Sequence, residues 1–330
     1  MKGSRNLTVY AVTIVLLFLC IYWSIMSGSI QVPFFELVQG IIQQNHEEAA
    51  VVYDLRFPRV LIAGFAGAAL AVSGALLQAV MRNPLADASI IGISSGANLI
   101  AMVAVTIMPT WFYFMPLFAF LGGLLACFLV YSLSWRGGLS PLRLILVGIA
   151  LHATFTGLSE AFNYRGSYSV TSISSATTST LSMKTWGDAN IMMIYGGVAL
   201  IIAVALFSWC NLLALDDRTT QTIGLPVKRT RIIVSIVAVI LASTATAIAG
   251  LIAFLGLLIP HIGRQLLGTD YKTLLPFSAL AGALLLISAD TFGRTLIAPN
   301  EIPASIVMMV IGGPFLIFLL RKSERIHGHS

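Results

Sequence analysis

The chain has 330 residues, of which 58% are hydrophobic and 10% are charged, and its mean hydropathy is +0.92. Soluble domains are about half apolar and about a quarter charged, so this composition excludes a soluble globular enzyme, a disordered chain and a nucleic-acid-binding protein. The net charge of +6 is spread over the whole chain, and we interpret the basic residues as markers of membrane topology. The apolar residues form solid runs rather than alternating patterns, which predicts an all-α polytopic membrane protein and not a β-barrel.

Ten apolar segments are candidates for membrane-spanning helices, each of which needs about 20 apolar residues. In chain order they cover residues 7–27, 60–80, 90–108, 112–135, 144–162, 189–210, 232–253, 257–267, 276–297 and 303–320. The first segment is too long for a signal peptide, and no Ala-x-Ala cleavage site follows it. The eighth is short and contains Pro260, which predicts a broken or re-entrant helix. We therefore expect about ten transmembrane helices in one membrane domain that covers residues 1–330.

The basic residues predict the orientation of these segments. With the N-terminus in the cytoplasm and the spans alternating, 14 of the 19 Lys and Arg residues fall on the inner side. The five outer ones are Arg56, Arg59, Arg165, Lys184 and Arg294. An excess of positive charge on the cytoplasmic side is the general rule for membrane proteins, so we expect both termini to be cytoplasmic. The long, mildly acidic segment between the first two spans, residues 27–56, is then expected to form an outer loop.

Small residues are concentrated in the predicted helices. Gly64, Gly67 and Gly74 fall in the second segment, and Gly92 and Gly96 lie at the start of the third. Helices in lipid associate through close backbone contacts at small residues, so this pattern predicts dense helix packing. The alternative interpretation is that some of these helices slide against one another.

The predicted inner loop, residues 211–231, is the main soluble feature on the cytoplasmic side. Its leucines are followed by two acidic residues, then by a Gly-Leu-Pro turn, then by basic residues. This order predicts two short amphipathic helices broken at Gly224 and Pro226, which together offer a docking surface for a cytosolic partner. The candidate docking residues are Leu212, Leu213, Leu215, Asp216, Asp217, Gly224 and Leu225.

Catalytic and cofactor motifs are weak or missing from the sequence. Gly92 to Gly96 match G-x-S-x-G, but a nucleophile elbow needs a strand before the serine, and here the motif opens an apolar helix. No phosphate-binding loop and no H-E-x-x-H motif occur, and the three cysteines have no metal-ligand spacing. Asn83 and Pro84 are interpreted as a cap and turn into the next helix. We therefore predict no catalytic residue, no cofactor and no metal bound by this chain.

Four histidine or acidic residues lie inside predicted spans, where ionisable residues are candidates for function. They are His152, Glu160, His261 and Asp290. Asp290 and Arg294 are four residues apart on one helix, and we expect them to form an ion pair. The other interpretation is an ion-coupled secondary transporter that uses Asp290, Glu160 or His152.

Three of the outer arginines cluster at the ends of predicted spans, although arginine is depleted on that side. Arg56 and Arg59 begin the second segment, and Arg294 ends the ninth. Arginine forms bidentate, charge-assisted hydrogen bonds with carboxylates. Beside the simpler interpretation as lipid-headgroup anchors, these residues form a candidate seat for the carboxylates of an extracellular partner protein.

Longer motifs follow one another through both halves of the sequence. The first half carries residues 56–63, 67–78, 83–86 and 92–97, and the second half carries residues 256–264, 274–280, 289–290, 301–303 and 312–315. In these motifs the chain resembles the FecCD-type permeases, which are the membrane subunits of ABC importers for ferric siderophores, haem and vitamin B12. The resemblance covers essentially the whole chain and implies a BtuC-like permease of the type II importers.

The resemblance also implies a set of partners. Two permease subunits, either two copies or a copy and a paralogue, surround one pathway in the bacterial cytoplasmic membrane. Two cytosolic ATPases bind ATP and Mg²⁺, and an extracellular or periplasmic binding protein delivers the substrate. In the family, the positions of Arg56, Arg59 and Arg294 meet glutamates of the binding protein, and the position of residues 211–231 contacts the ATPase.

The stretch from Leu181 to Asp188 departs from the pattern of many siderophore permeases, which carry Trp-x-x-Gly-Ser before the sixth span. It contains Lys184-Thr185-Trp186-Gly187-Asp188 instead. This stretch resembles the haem-uptake permeases of Gram-positive bacteria, the Isd-type branch. The implied substrate is haem, with a ferric siderophore as the next choice.

Overall fold

The structure is a computed structural model that describes residues 2–28, 32–43, 47–134, 141–165, 181–222, 224, 226–298 and 300–327. Within these ranges every long regular element is a helix. The α-helices are α1 Lys2–Met26, α2 Phe34–Gln43, α3 Glu47–Met81, α4 Ile93–Ile107, α5 Met115–Ser134, α6 Pro141–Arg165, α7 Trp186–Ile191, α8 Gly197–Ala205, α9 Phe207–Leu213, α10 Asp217–Thr222, α11 Val227–Ala249, α12 Leu255–Leu267, α13 Tyr271–Leu296 and α14 Ala304–His327.

The predicted apolar segments all fall on these helices. Seven helical stretches in the described ranges are long and apolar enough to cross a membrane, and Ile93–Ile107 and Ala304–Phe318 are shorter apolar helices. The sixth predicted segment is a single rod in which a π-helical turn, Met192–Gly196, joins α7 to α8. The expectation of an all-α, multi-pass membrane protein is confirmed.

Helix α3 is the central element of the bundle. Most of its apolar stretch is buried, and it packs against α11, α12 and α13. Gly67 faces the backbone of Gly282 on α13, and Gly74 faces the backbone of Gly256 on α12, so that a Cβ atom at either position would collide with main-chain atoms. The prediction that small residues serve dense packing is confirmed, since lipid offers no hydrophobic force to bring helices together.

The loop expected at residues 27–56 is largely helical. Helix α3 begins at Glu47, well before the predicted span, and continues through Pro58. Helix α2 folds back on this extension, where Leu37, Ala49 and Val52 form a small buried cluster. The charged residues in this region suggested a loop, but they lie on a helix whose other face is covered by α2.

Helix α12 is continuous, so the break predicted around Pro260 lies elsewhere. The chain is non-helical over residues 250–254, and Phe254 has a positive φ of 67° before α12 begins. Pro260 has no N–H to donate to the Gly256 carbonyl four residues earlier. The Gln78 amide of α3 donates to that carbonyl at 3.0 Å, and the guanidinium of Arg264 donates to the Gln78 side-chain oxygen. This repair allows the helix to continue.

Asn83 closes a turn rather than capping a helix. Its side-chain oxygen accepts a hydrogen bond from the Leu85 N–H at 2.9 Å, two residues on. The next helix begins only at Ile93, after Gly92 with a φ of 82°. The prediction that Asn83 and Pro84 turn the chain is correct, but Asn83 forms a local Asx turn and does not cap the next helix.

The two ends of the bundle are joined by α3 and α13, which cross it in opposite directions. At one end, the Arg82 side chain donates to the Leu213 carbonyl at 2.9 Å, and the Asn211 amide donates to Asp270 at 2.7 Å. At the other end, α3 carries Arg56 and α13 carries Arg294. The inner loop and the clustered arginines therefore lie at opposite ends of the molecule.

Candidate functional site

An open cavity of about 640 Å³ at the end of the bundle brings the three predicted arginines together. We call it the arginine cavity. Arg56 and Arg59 reach it from α3 and Arg294 reaches it from α13, while Ser182 and Glu301 reach it from two connecting segments. The structure thus unites residues that are more than 230 positions apart in the chain, and the clustering predicted from the sequence is present.

Arg59 is held by two carboxylates of the same chain. Its Nε and Nη2 atoms donate to the two oxygens of Asp290, each at 2.8 Å. Its Nη1 atom donates to Glu301 at 2.9 and 3.2 Å. The side chains of Arg59 and Asp290 are only 10% and 3% exposed, whereas that of Glu301 is 41% exposed. The buried charge of Arg59 is therefore compensated by carboxylates of the same chain.

The prediction of an ion pair between Asp290 and Arg294 is wrong. Asp290 accepts from Arg59 instead, because α3 and α13 pack so closely that the guanidinium lies against the carboxylate. The Arg294 guanidinium donates to the carbonyl and to the hydroxyl of Ser24 on α1, the latter at 2.8 Å. Spacing of four residues permits a pair on one helix, but an interhelical bidentate bond is geometrically better.

Arg56 is the most accessible of the three arginines. One of its Nη atoms donates to the Ile25 carbonyl at the end of α1, at 2.7 Å, and the residue remains partly exposed. The lining of the arginine cavity contains three arginines and one acidic residue, Glu301. Asp290 lies buried behind Arg59, and when it is included the group keeps one excess positive charge. Such a lining attracts carboxylates from outside.

Glu301 and Ser182 are functional candidates that sequence reasoning missed. The Ser182 hydroxyl donates to Glu301 at 2.6 Å. Burial acts to raise the pKa of the Glu301 carboxyl, but the hydrogen bond from Ser182 and the charge of Arg59 outweigh it, so the pKa lies below its usual value. The only signal in the sequence was an acidic residue in an outer segment close to Arg294.

The inner loop contains one separate short helix in its described residues, where two were predicted. Leu212 and Leu213 end α9, which continues directly from the membrane helix, and only α10 stands apart. The reason is that Leu213 is fully buried in the core. Of the predicted docking residues, Leu212 is partly exposed and Leu215 is 42% exposed.

Local hydrogen bonds hold α10 in place. The Asp216 carboxylate accepts from the Thr219 N–H at 2.9 Å and from the Thr219 hydroxyl at 2.6 Å, as an N-cap does. The Thr220 hydroxyl donates to the Leu212 carbonyl at 3.0 Å. Gly224 has a φ of 88°, which glycine adopts readily. Leu225 and the side chain of Asp217 lie outside the described residues.

The remaining candidates are dispersed. His261 on α12 is within hydrogen-bond distance of Gln265, at 2.8 Å, and meets the edge of the Phe315 ring. His152 and Glu160 lie on α6, partly exposed and exposed respectively. Ser94 is buried inside α4 with no strand before it, so the G-x-S-x-G match is not a nucleophile elbow. In the described part of the chain no three His, Cys, Asp or Glu residues are grouped to hold a metal ion.

Comparison with known families gives one match across nearly the whole chain. The model of the FecCD transport family matches residues 16–322. Among individual relatives, the probable heme-iron transport system permease protein IsdF of Staphylococcus aureus strain MSSA476 is 39% identical over 318 residues, which is 94% of this chain and 97% of that protein. The protein of the same name from strain Newman is likewise 39% identical over the same shares of both chains.

Two solved structures resemble the fold. A chain from an inward-facing conformation of a metal-chelate type ABC transporter has a TM-score of 0.81 and 29% identity, over 96% of this chain and 99% of that one. A chain of PsaBC from Streptococcus pneumoniae, solved with a Fab, has a TM-score of 0.57 and 15% identity, over 87% of this chain and 95% of that one. The second likeness concerns the fold alone.

Proposed function

This chain belongs to the FecCD transport family, and on that premise we propose that it is the permease subunit of an ATP-driven importer of an iron complex. The observation that carries the proposal is the 39% identity, over 94% of the chain, to a heme-iron transport permease. The chain is a transport subunit and not an enzyme. ATP and Mg²⁺ bind a separate ATPase subunit in this proposal, because the sequence has no phosphate-binding loop.

Haem is the substrate that we propose, with a ferric siderophore as the next choice. Two features of the sequence similarity support haem. One is the name of the relatives from Staphylococcus aureus, and the other is the stretch before the sixth span, residues 181–188, which resembles haem permeases. Equilibrium binding of haem and of ferric siderophores to the cognate outer binding protein tests this choice, and preference for a siderophore would refute it.

The arginine cavity is the proposed docking seat for the outer binding protein. Arg56 is partly exposed in its lining, and the arginines together with Glu301 and the buried Asp290 keep one excess positive charge that complements carboxylates. Arg294 and Arg59 complete the seat. Asp290 and Glu301 of the same chain already bind Arg59. Arg59 therefore contributes to docking through the positive potential that remains after this pairing and through the shape that the ion pairs give to the cavity.

The inner loop is the proposed contact with the ATPase. Leu212 and Leu215 present apolar surface next to Asp216 and before the turn at Gly224. Asp217 and Leu225 are the neighbouring residues in the sequence that we include in the contact. Because α9 continues from a membrane helix and α11 begins directly after the loop, a force applied to α10 reaches both spans. Alternating access follows if ATP binding and hydrolysis move the two ATPases and this loop carries their motion into the helices.

The complete importer in this proposal has two permease subunits, two ATPases and one binding protein. The permease lies in the bacterial cytoplasmic membrane with both termini inside, an orientation supported by the excess of Lys and Arg on that side. Substrate passes along the interface between this chain and a second permease, either a copy or a paralogue.

Uptake by reconstituted vesicles tests the mechanism. The assembled importer with its binding protein should take up haem only when ATP is inside and the ATPase is present. The rival mechanism is an ion-coupled secondary transporter, against which stands the bidentate bond that commits Asp290 to Arg59. Uptake that persists without the ATPase and follows a proton gradient would replace our proposal with that rival.

Docking is tested separately by reversing the charge of Arg56. We expect Arg56→Glu to weaken binding of the outer protein about tenfold or more, with strong salt dependence in the wild-type protein. Lys184→Glu is the matched control, since Lys184 lies on the same side but outside the cavity lining. Equal affinity of the Arg56→Glu variant and the wild type would remove the arginine cavity from the docking surface.

A further inference from the structure

A second cavity lies at the opposite end of the bundle from the arginine cavity, on the surface between α5 and α11. It has a volume of about 420 Å³, and the lining residues Phe128 and Ile232 are exposed on the outer surface of the bundle. We call it the α5–α11 groove. Its position on two membrane-spanning helices means that, in the membrane, its open side faces lipid or another membrane protein.

The lining of the groove changes along its length from basic through polar to apolar residues. Lys228 and Arg231 stand at one end, in the first turns of α11. The hydroxyls of Tyr131 and Ser235 meet at 3.3 Å in the middle. Beyond them the described lining is apolar apart from the Cys127 thiol, and it contains no acidic residue; it includes Leu124, Phe128 and Val239.

The length of the groove fits one acyl chain. Lys228 and Val239 are eleven residues apart on α11, which is about 16 Å at about 1.5 Å per residue. That length matches one leaflet of a hydrocarbon core about 30 Å thick. The groove therefore has room for one acyl chain beside its basic end.

From this arrangement we propose that the α5–α11 groove binds an anionic phospholipid of the cytoplasmic leaflet. The phosphate lies against Lys228 and Arg231, and one acyl chain runs along Leu124 and Phe128 toward Val239. Basic pockets between transmembrane helices on the cytoplasmic side are suited to anionic headgroups. The inference is independent of the transported substrate and needs only that the basic end of α11 is cytoplasmic.

The position gives such a lipid a consequence for the transporter. Helix α11 follows the inner loop directly, so a lipid bound to its first turns holds the helix that the loop would move. Phe128 is 65% exposed in the permease alone and loses part of that exposure to the chain of the lipid. The bound lipid is thus part of the surface against which α11 shifts.

Lipid retention by the purified importer tests the proposal. The wild type, the double variant Lys228→Gln with Arg231→Gln, and the control Arg229→Gln are purified from membranes containing phosphatidylglycerol and phosphatidylcholine with the same chains. Arg229 is exposed in the same turn but does not line the groove. Native mass spectrometry should find phosphatidylglycerol retained by the wild type and control, and at least fivefold less on the double variant. Equal retention by all three overturns the proposal.

The acyl-chain half of the proposal needs its own probe. A Phe128→Trp variant is titrated with phosphatidylglycerol brominated on its chains, with Leu133→Trp as the control, since Leu133 is 57% exposed on α5 outside the groove. We expect the fluorescence introduced by Phe128→Trp to be quenched at a several-fold lower mole fraction of the brominated lipid than the fluorescence of the control variant. Identical quenching curves, or displacement of the lipid by inorganic phosphate or glycerol 3-phosphate, would overturn the lipid assignment. So would an efficient disulfide between two copies of a Leu124→Cys variant, because it would put a second permease in the groove.

Discussion

The arginine cavity and the inner loop are built in opposite ways. The arginine cavity assembles side chains from residues 24 to 301, and each of its bonds joins segments that are distant in sequence. The inner loop is held largely by bonds that span three to eight residues, such as those made by Asp216 and Thr220. The first is therefore part of the fold of the membrane domain, whereas the second is a local structure attached to it.

This difference predicts how each region responds to substitution. A change in the arginine cavity disturbs the packing of α3 against α13, so its effect on binding is accompanied by an effect on folding. A change on the exposed face of the inner loop leaves the membrane helices intact. Separating stability from partner binding is thus harder at the outer end than at the inner end.

The largest expected effect comes from breaking the buried ion pair. Asp290→Asn leaves the Arg59 guanidinium buried without its bidentate partner, which typically costs about 3–5 kcal/mol. We expect a marked fall in the unfolding temperature of the purified permease. Glu301→Gln is the control, since its partly exposed carboxylate is the weaker partner and its loss should lower that temperature far less.

The double variant Arg59→Met with Asp290→Leu sharpens this test. Replacing both charges by apolar groups removes the uncompensated ion, and such replacements are often neutral for stability. We therefore expect the double variant to be more stable than Asp290→Asn alone. An Asp290→Asn permease as stable as the wild type would contradict the account of the pair.

The next largest effect concerns the exposed apolar surface of the inner loop. Leu215→Glu should reduce recovery of the ATPase with the purified permease about tenfold, because it puts a charge on the proposed contact, while the unfolding temperature changes little. Leu213→Glu is the informative contrast. That side chain is fully buried, so the permease itself should fail to accumulate. Normal recovery of the ATPase with Leu215→Glu would exclude Leu215 from the contact.

A smaller effect is expected from the cap of α10. Asp216→Ala removes the acceptor of the Thr219 N–H, and loss of an N-cap costs about 1 kcal/mol. Because α10 is a local structure, we expect faster hydrogen exchange of amides 217–222, by about fivefold, and an unchanged global stability. Thr185→Ala, which removes the N-cap of α7, is the control and should leave those amides unaffected. Slower or unchanged exchange would show that the cap does not hold α10.

The smallest effect is expected from neutralising Glu301. Glu301→Gln removes a negative charge from the arginine cavity, so the acidic face of the outer protein should bind about two- to fivefold more tightly, in the range of an exposed ion pair. The measurement is the equilibrium affinity at low and high salt, and the gain should shrink at high salt. Weaker binding would mean that Glu301 itself contacts the partner.

The lowered pKa of the Glu301 carboxyl predicts how the stability difference between the wild type and Glu301→Gln depends on pH. A carboxyl whose pKa in the folded protein lies below its ordinary value of 4.5 stabilises the fold above that value and loses this effect as the pH falls through the folded pKa. The difference in unfolding temperature between the wild type and Glu301→Gln should therefore be constant at neutral pH and close under acidic conditions. A difference that grows on acidification would contradict the assigned direction.

The sequence by itself determined the class of the protein, the positions of the membrane segments and the clustering of Arg56, Arg59 and Arg294. These features follow from composition and from local patterns, because apolar runs and basic flanks reflect the bilayer and not particular contacts. The same reasoning failed for residues 27–56, where charged residues suggested a loop. A helix covered on one face by another helix is not visible in single-sequence hydropathy.

Only the tertiary structure decided which partners the charged residues take. The spacing of Asp290 and Arg294 allowed an ion pair on α13. Because α3 lies close to α13, Asp290 binds Arg59 instead, and Arg294 donates to Ser24. The same holds for Gln78, which repairs a helix at Pro260 some 180 residues away. Local sequence limits which side chains share a face, whereas the distance between helices, set here by glycines on α3 and α13, determines which of them bond.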